Sequence, residues 1–589
     1  MSILASLVRA YDRMDAPAFG YSTEKIGFVV VLSSDGAIVD VVDRRSADNK
    51  RTPVNMIVPA CPKRSGQTPR PNFLWDNINY ALGAGKLTND ADTRFDAFRD
   101  KHLEYLSDLD DPEISAFCVF LRIWDPAQVT RFFQADDLPT NGVVFACNDS
   151  RRDHFLHENG TATSFWKRNR HLWVAVEGKS TTPAICLVNG EVSEIARTHP
   201  PIKGMSGVGG KSEMALISFN DDAYESYGHS QGDNAPVSEA AAFAYTTALN
   251  RFLDRDSGHR IQIGDASTVF WADAEDPEQA AMAEDLFSAY FDKDQDRAGE
   301  ETMATKQIAA QLGLIRQGRP LDQVEPRLAA GVRFNVLGLA PNAARLSVRF
   351  WWQDDFGRLT AHYQRFVEDM RLDPAPRDGW PPLWRYLVEL AAQGKRENVP
   401  PLIAGDWMRA ILTGAPYPLT LMSSVLIRIR SDGQINALRA AILKSVLIRN
   451  LAREVPVALD PANTNKGYIL GRLFAVYEEV QRAALGGNVN ATIKDKFYGA
   501  ASASPQKVYR ALDSGAQNHF SKLHKTSPGR AVNLEKLLGS ITDLMDPADD
   551  PIPASLAAAE QALFGIGYYH QRSEFFRKRD ETTSPETDQ

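Results

Sequence analysis

Cysteine is scarce in this sequence: only four occur among 589 residues, and no two of them form a CxxC pair. Zinc ribbons require thiolates at that short spacing, so this class of metal site is excluded. Disulfide frameworks are typical of much smaller secreted domains. We therefore expect buried, reduced thiols in a cytoplasmic protein, at Cys61, Cys118, Cys147 and Cys186.

Long apolar runs are missing as well. No stretch reaches the roughly 18 consecutive apolar residues that a membrane-spanning helix needs, so we predict no membrane association. The first residues carry Leu, Ile and Val at helical spacing, without the apolar core and small-residue cleavage site of a signal peptide. This pattern predicts a first helix.

Enzyme signatures are also lacking, since no GxSxG elbow, HExxH motif or nuclease-type acidic cluster occurs. The nearest candidate is the string GMSGVGGKS at Gly204–Ser212, whose Gly210, Lys211 and Ser212 match the end of a phosphate-binding P-loop. Met205 occupies the position of the first required glycine, however, and a strand-like run follows where a helix should begin. We predict no catalytic centre and no cofactor. A nucleotide-using enzyme built on this loop stays as an alternative.

Two further small features have simple interpretations. Lys203 and Lys211 flank the glycine-rich loop, which is suited either to contacting an anion or to forming a plain surface turn. His154 and His157 have HxxH spacing, but no thiol or carboxylate pattern completes a metal site. We predict an exposed histidine pair on a loop and no bound metal.

Charge is strongly segregated along the chain, although the formal net charge is only −9. Residues 49–75 contain five basic residues and no acid, residues 265–301 contain twelve acids and two bases, and residues 422–580 contain 21 bases and 15 acids. Such segregation indicates either separate solvated faces or contacts with phosphates at two places.

The first 375 residues have the pattern of an α+β region. An Asp-Gly turn joins the β-branched runs Ile26–Leu32 and Ala37–Val42, which predicts a β-hairpin. A second hairpin is predicted from Val332–Leu339 and Arg345–Trp352 around Ala340–Asn342, and a helix is predicted at Glu239–Asp254 with Ser238 as its N-cap. Further short strands are predicted at Asn141–Cys147, His171–Val176, Ala184–Val188 and Met214–Phe219.

Strand patterns end near residue 375, where several prolines indicate a hinge. We predict an all-α helical bundle over residues 376–580 and a disordered polar tail over 581–589. The amphipathic helices expected in the bundle are Leu419–Arg430, Asn436–Arg453, Ile469–Ala484 and Val532–Met545.

Four long strings give the sequence a family resemblance: Pro62–Gly83, Cys186–Tyr227, Asn234–Leu253 and Asn465–Ala503. Together and in this order they resemble the large subunit of the subtype I-C (Dvulg) CRISPR surveillance complex, Cascade. The resemblance implies a non-catalytic subunit that recognises a protospacer-adjacent motif in duplex DNA, promotes R-loop formation and recruits a helicase-nuclease. Its implied partners are the guide-RNA ribonucleoprotein, the target duplex, the displaced strand and a small subunit translated from within the same gene.

Residues for such recognition are concentrated between positions 63 and 79. Cations suit phosphates, while an amide can both donate to and accept from a base edge. We predict phosphate contacts by Lys63, Arg64 and Arg70, with Lys203 and Lys211 as further DNA-binding residues. Base contacts are predicted for Gln67, Asn72, Asn77 and Asn79. Phe73, Leu74 and Trp75 are expected to anchor the segment to the core.

The basic C-terminal region suits weak binding of displaced single-stranded DNA, or alternatively a plain bundle that packs on protein neighbours. Its aromatic residues at helical spacing are expected in the core, among them Phe474, Tyr477, Phe497 and Tyr498. From about residue 455 it resembles the family's small subunit, with Met408, Met422, Val455 and Val457 as candidate internal starts. A scaffold protein without nucleic-acid contacts stays as the remaining alternative.

Overall fold

The computed structural model describes residues 2–47, 51–60, 68–89, 91–134, 142–147, 154–174, 183–206, 209–219, 221–291, 303–329, 331–376, 379–486 and 491–577. The chain is an α+β protein with two compact units. The smaller unit consists of Tyr11–Arg197 and Gly232–Ala244, and the larger consists of Met1–Ala10, Thr198–Gln231 and Tyr245–Gln589. The predicted functional division at residue 375 is not one of these boundaries and stays a prediction.

Helix α1 spans Ile3–Tyr11, as predicted, and a five-stranded sheet follows it in the chain. The strand order is β2-β1-β5-β4, and β3 pairs with the first half of β1. The predicted hairpin across Asp35-Gly36 is confirmed, as is the predicted strand before Cys147. The strands are β1 (Tyr21–Leu32), β2 (Ile38–Asp43), β3 (Val54–Pro59), β4 (Trp75–Asn77) and β5 (Gly142–Cys147).

The helices of the smaller unit cover the sheet with an aromatic core. They are α2 (Ile78–Ala81), α3 (Arg94–Leu106), α4 (Pro112–Ile123), α5 (Gly160–Asn169) and α6 (His171–Val174). The strand predicted at His171–Val176 is wrong within the described residues, because the chain stays helical after α5. The buried Trp173 ring packs edge-on against Phe73, with ring centroids 5.0 Å apart.

Residues 183–219 form little regular structure in the part that the structure describes. The strand predicted at Ala184–Val188 is reduced to β6 (Ala184–Ile185), which pairs with β7 (Val192–Ser193). The strand predicted at Met214–Phe219 is wrong, since only isolated bridges form at Met214 and Ala215. Helix α7 (Glu239–Leu253) begins as predicted, with the Ser238 hydroxyl accepting from the Ala241 N–H at 3.2 Å.

A second sheet, entirely antiparallel, lies in the larger unit in the order β11-β10-β9-β8. Its strands are β8 (Arg260–Ile263), β9 (Ala266–Asp273), β10 (Arg333–Asn342) and β11 (Arg345–Asp355). The second predicted hairpin is confirmed, but its turn falls at Ala343-Ala344 and not at 340–342. The helices flanking this sheet are α8 (Pro277–Phe291), α9 (Met303–Arg316), α10 (Leu321–Val324) and α11 (Phe356–Met370).

The C-terminal part is helical, and no strand occurs among described residues 379–577. All four predicted amphipathic helices are present within it. The helices are α12 (Leu383–Val388), α13 (Pro401–Thr413), α14 (Leu419–Asp432), α15 (Ala437–Leu451), α16 (Lys466–Leu485), α17 (Ile493–Ala503), α18 (Tyr509–Thr526), α19 (Pro528–Thr542) and α20 (Ala558–Glu574). Phe474, Tyr477 and Tyr498 are buried as predicted, and Phe497 is half-buried.

Helix α16 is the centre of this region, with α17, α18, α19 and α20 packed around it. The crossing of α16 and α20 brings backbone against backbone. A Cβ atom added to Gly471 would lie 2.0 Å from the Phe564 carbonyl oxygen, and one added to Gly567 would lie 2.3 Å from that of Tyr468. Across the described residues, no helix is both long and apolar enough to span a bilayer.

Candidate nucleic-acid interface

The predicted basic segment leaves and re-enters the sheet of the smaller unit at one point. Trp75, the first residue of β4, donates its indole Nε1–H to the carbonyl oxygen of Pro59, the last residue of β3, at 2.7 Å. We call this contact the neck. It joins the two ends of the segment over residues 60–74, to which we refer as the loop. Lys63, Arg64 and Gln67 belong to this loop and lie outside the described residues.

Buried polar side chains fix the returning strand of the loop. The carboxylate of the fully buried Asp76 accepts from the backbone N–H of Asn72 at 2.9 Å and from that of Asn77 at 2.8 Å. Leu74 has a left-handed backbone (φ 60°), and its N–H donates to Nε2 of His102 at 2.9 Å. The chain is therefore held by specific hydrogen bonds in a conformation that its apolar residues would not adopt unaided.

His102 acts here as a neutral acceptor. Its Nδ1 lies 2.7 Å from the Phe98 carbonyl oxygen, so the ring proton is on Nδ1 and Nε2 is free to accept from Leu74. Burial lowers the pKa of His102 from 6.5 to about 3, and the hydrogen bond to Phe98 opposes that shift. The ring therefore stays uncharged at neutral pH.

The structure describes three of the four predicted base-contacting amides, and Asn79 is half-buried on α2. Asn72 is only 2% exposed, and the side-chain oxygen of Asn77 caps α2 by accepting from the Tyr80 N–H at 3.2 Å. Their assignment to DNA stays a prediction, and the burial of Asn72 counts against it. The predicted anchoring is confirmed, because Phe73 and Leu74 are 0% exposed and Trp75 is 6% exposed.

Two cations stand at the foot of the loop. Arg70 is half-buried, and its backbone N–H donates to the Tyr80 hydroxyl at 3.3 Å. Lys101, on α3, places its ammonium 5.1 Å from the centroid of the Trp173 ring. Burial lowers the pKa of Lys101, Glu104 opposes that effect, and the positive charge of Arg70 adds to it. Lys101 was not predictable as a member of this site, because a single lysine on a mixed-charge helix gives no signal in the sequence.

The glycine-rich loop lies in the larger unit and is closed at its base. Ile202 and Met214 exchange both backbone hydrogen bonds, at 2.8 and 2.9 Å, and Met205 is fully buried. Gly204 has φ 84°, and an added Cβ would lie 2.9 Å from the Leu253 carbonyl oxygen, which explains its need for glycine. Lys203 and Lys211 are exposed. Described residues 209–219 contain no helix, so the amide cradle of a P-loop is missing from this part of the chain.

The histidine pair differs from its prediction. His157 is 2% exposed, with Nε2 3.2 Å from the Ile57 carbonyl oxygen, so its predicted exposure is wrong. Burial lowers its pKa to about 4. Within the described ranges, no group of three or more His, Cys, Asp or Glu side chains could hold a metal ion. Cys118, Cys147 and Cys186 are buried free thiols, as predicted, and Cys61 lies outside the described residues.

A separate polar stripe runs along the exposed face of α18. At 100° per residue its side chains span about 140° of the helix surface and include no acid. All of them are exposed, and they are Arg510, Ser514, Gln517, Asn518, Ser521, Lys522 and Lys525. Asp513 lies beyond the edge of the stripe, with its carboxylate 3.4 Å from the Tyr477 hydroxyl. Cations alternating with amides and hydroxyls suit a phosphate backbone.

The family model described as CRISPR-associated protein (Cas_Csd1) matches residues 7–576. None of the curated proteins matches the chain. The matched range includes the neck, the glycine-rich loop and the stripe on α18.

Proposed function

The chain belongs to the Csd1 family of CRISPR-associated proteins, and from this premise we propose that it is the large, non-catalytic subunit of a subtype I-C guide-RNA surveillance complex. In such complexes the guide reads the long target by base pairing, while protein reads a short flanking motif and the duplex shape. The partners proposed are the guide-RNA ribonucleoprotein, target duplex, displaced strand and helicase-nuclease. The cytoplasm is the compartment where these partners would meet.

We assign motif binding to the loop above the neck. The observation that carries this assignment is the concentration of positive charge there: residues 49–75 contain no acid, and Arg70 and Lys101 stand at the loop's foot. Trp75 joins the two ends of the loop, and Asp76 and His102 hold the end that returns to the sheet, so the cations and the amide of the loop are attached to an ordered base. Gln67 is the base-reading amide that we favour, because Asn72 is buried and Asn77 caps a helix.

The displaced strand is assigned to α18. Single-stranded DNA without sequence preference is bound by cations that follow the backbone and is sensitive to salt. The exposed stripe of α18 provides three cations and two amides along one helix face. This assignment gives the basic C-terminal region a partner different from that of the neck loop.

A gel-shift titration of the assembled complex tests the motif-binding proposal. Target duplexes with the correct and a mutated flanking motif are compared for the wild-type chain and for the double variant Lys63→Ala/Arg64→Ala. Loss of two phosphate contacts should weaken binding and lower the salt slope by about 2. The matched control is Lys167→Ala/Arg168→Ala, an exposed Lys-Arg pair on α5.

Two results of this titration would contradict the proposal. If the Lys63/Arg64 variant binds both duplexes with wild-type affinity at every salt concentration, the loop does not contact DNA. If the wild-type complex does not distinguish the two duplexes at all, the chain is not the motif-reading subunit.

A further inference from the structure

The β6–β7 hairpin presents an apolar surface to solvent. Ile185 is 61% exposed, Leu187 is 67% exposed and Val192 is 71% exposed. Ile185 and Val192 are cross-strand partners, and Leu187 follows two residues later in the turn that joins the two strands. One short hairpin therefore exposes three large apolar side chains, two of them paired across its strands, and such clustering distinguishes an interaction surface from scattered exposed residues.

Hydrogen bonds hold this patch in its outward orientation. Cys186 lies between Ile185 and Leu187 in the chain and is fully buried, and its Sγ accepts from the Ser238 N–H at 3.2 Å. The Cys186 N–H donates to the Glu191 carbonyl oxygen, and the Leu187 N–H donates to that of Pro236, each at 2.9 Å. These hydrogen bonds fix the chain on both sides of Ile185 and Leu187 while the side chain between them is buried, so the two exposed side chains belong to a backbone that is held in place. The hairpin is an anchored element that the fold exposes.

The charge around the patch indicates what kind of molecule can cover it. Glu191 and Glu194 are exposed on the same hairpin, and residues 183–194 contain no Lys or Arg. Side chains that wedge between base steps, and helices that lie on anionic membranes, are accompanied by cations. Carboxylates beside the patch would repel phosphates of either kind. A protein surface with lysines and arginines around an apolar groove is complementary to both features.

We propose that the Ile185–Leu187–Val192 patch is a docking surface for a protein subunit of the guide complex, received in an apolar groove bordered by basic residues. The inference rests on the proposed function only in taking the partner from that complex. The apolar side chains would supply most of the affinity, and Glu191 and Glu194 would orient the encounter.

The test is reconstitution of the guide complex with the full chain carrying Leu187→Ser/Val192→Ser. We expect its affinity for the remaining ribonucleoprotein, measured by titration and native mass spectrometry, to fall at least tenfold. The matched control is Leu402→Ser/Ile427→Ser, since these side chains are 70% and 58% exposed elsewhere in the chain. Thermal unfolding of each variant shows whether it is folded.

A charge variant gives a second readout that does not depend on removing apolar surface. Glu191→Lys/Glu194→Lys should weaken association at low salt, and the difference from the wild type should shrink as salt rises. A variant that associates equally well at low salt would exclude the basic-rimmed partner.

Three other results would overturn the inference. The Leu187/Val192 variant could assemble with wild-type affinity, or it could assemble normally and lose only duplex affinity, which would make the patch a DNA contact. Sedimentation of the isolated chain could instead show a dimer that the variant dissociates, which would make the partner a second copy. If the wild-type chain itself fails to join the ribonucleoprotein, the proposed function fails first, so the two failures are distinguishable.

Discussion

Two buried side chains, Asp76 and His102, decide how the basic loop returns to the sheet. Both accept backbone N–H groups at 2.8–2.9 Å, Asp76 from Asn72 and Asn77 and His102 from Leu74. Neither residue resembles a functional motif, yet each positions the loop that we assign to DNA.

Replacing Asp76 with Ala should lower the free energy of unfolding of the smaller unit by about 3 kcal/mol, because buried donors lose a charged acceptor. The matched control is Asp100→Ala on α3, whose side chain is 64% exposed and pairs with Arg99. The control should change stability by no more than about 0.5 kcal/mol. Guanidinium unfolding measures both, and equal losses would contradict the structural role of Asp76.

Acid should destabilise the protein through its buried histidines. His102 has a pKa of about 3 when folded and 6.5 as its ordinary value, so the unfolded chain binds a proton that the folded chain does not. The contribution of neutral His102 to the free energy of unfolding should therefore be complete above about pH 6.5. It should decrease as pH falls towards 3, by about 1.4 kcal/mol per pH unit for each such histidine.

The variant His102→Gln isolates this effect, since a glutamine oxygen can still accept from Leu74. Urea unfolding of the variant between about pH 7 and about pH 4.5 should have a shallower pH dependence than the wild type. A residual slope should persist, because burial also lowers the pKa of His157 and of His570 to about 4. An unchanged slope would mean that His102 is accessible to protons in the folded chain.

At the scale of elements, the α16–α20 crossing depends on two glycines in direct contact with the facing backbone. Gly471→Ala would place a methyl group 2.0 Å from the Phe564 carbonyl oxygen, so the helices must separate. We expect a loss of about 3 kcal/mol in the free energy of unfolding. Gly515→Ala on α18 meets nothing within 4 Å and should be neutral or stabilise by up to about 1 kcal/mol. Thermal denaturation distinguishes the two.

The stripe on α18 makes an element-scale prediction about DNA. Lys522→Ala/Lys525→Ala should weaken the binding of single-stranded oligonucleotides to the assembled complex and reduce its salt dependence, with duplex motif discrimination unchanged. Fluorescence anisotropy measures the affinity. Lys496→Ala/Lys536→Ala removes two exposed cations from α17 and α19 and is the control. Equal effects of the two double variants would mean that charge alone, and not the stripe, attracts the strand.

Elements with strong periodicity were predictable from the sequence, and those shaped by distant contacts were not. The hairpin at Asp35-Gly36 and helices such as α16 have patterns that local physics fixes. His171–Val174 is helical because the chain stays helical after α5 and Trp173 packs against aromatic rings from three other segments. For the candidate site, the composition of the sequence indicated the basic loop. The hydrogen bond from Trp75 to Pro59 at its base was not predictable, because only the folded sheet brings these two residues together.

For the whole molecule, the arrangement of α16–α20 supports a separate C-terminal product. Helix α16 is enclosed by α17–α20, and the buried Arg472 donates to the carbonyl oxygens of Asp460 and Pro461 at 3.4 and 3.0 Å. The segment before α16 therefore belongs with these helices. A product that begins at Val455 or Val457 keeps both contacts and would have about 135 residues.

Mass spectrometry of the purified complex should detect a second polypeptide that matches only this C-terminal sequence. A start at Met422 would give a longer product that also contains α15, and the measured mass distinguishes these starts. Complete absence of the shorter chain from an intact, assembled complex would show that the complex contains this helical region only as part of the full chain.

The neck has a consequence for how such a protein can change. Because Trp75 and Pro59 meet whatever lies between them, the loop can vary in length and sequence while the sheet below keeps its register. Recognition and scaffold are then separable properties of one chain. If the loop reads the DNA motif as we propose, changes confined to the loop would alter which motif is accepted, and another loop grafted between the same two anchors would transfer its own preference.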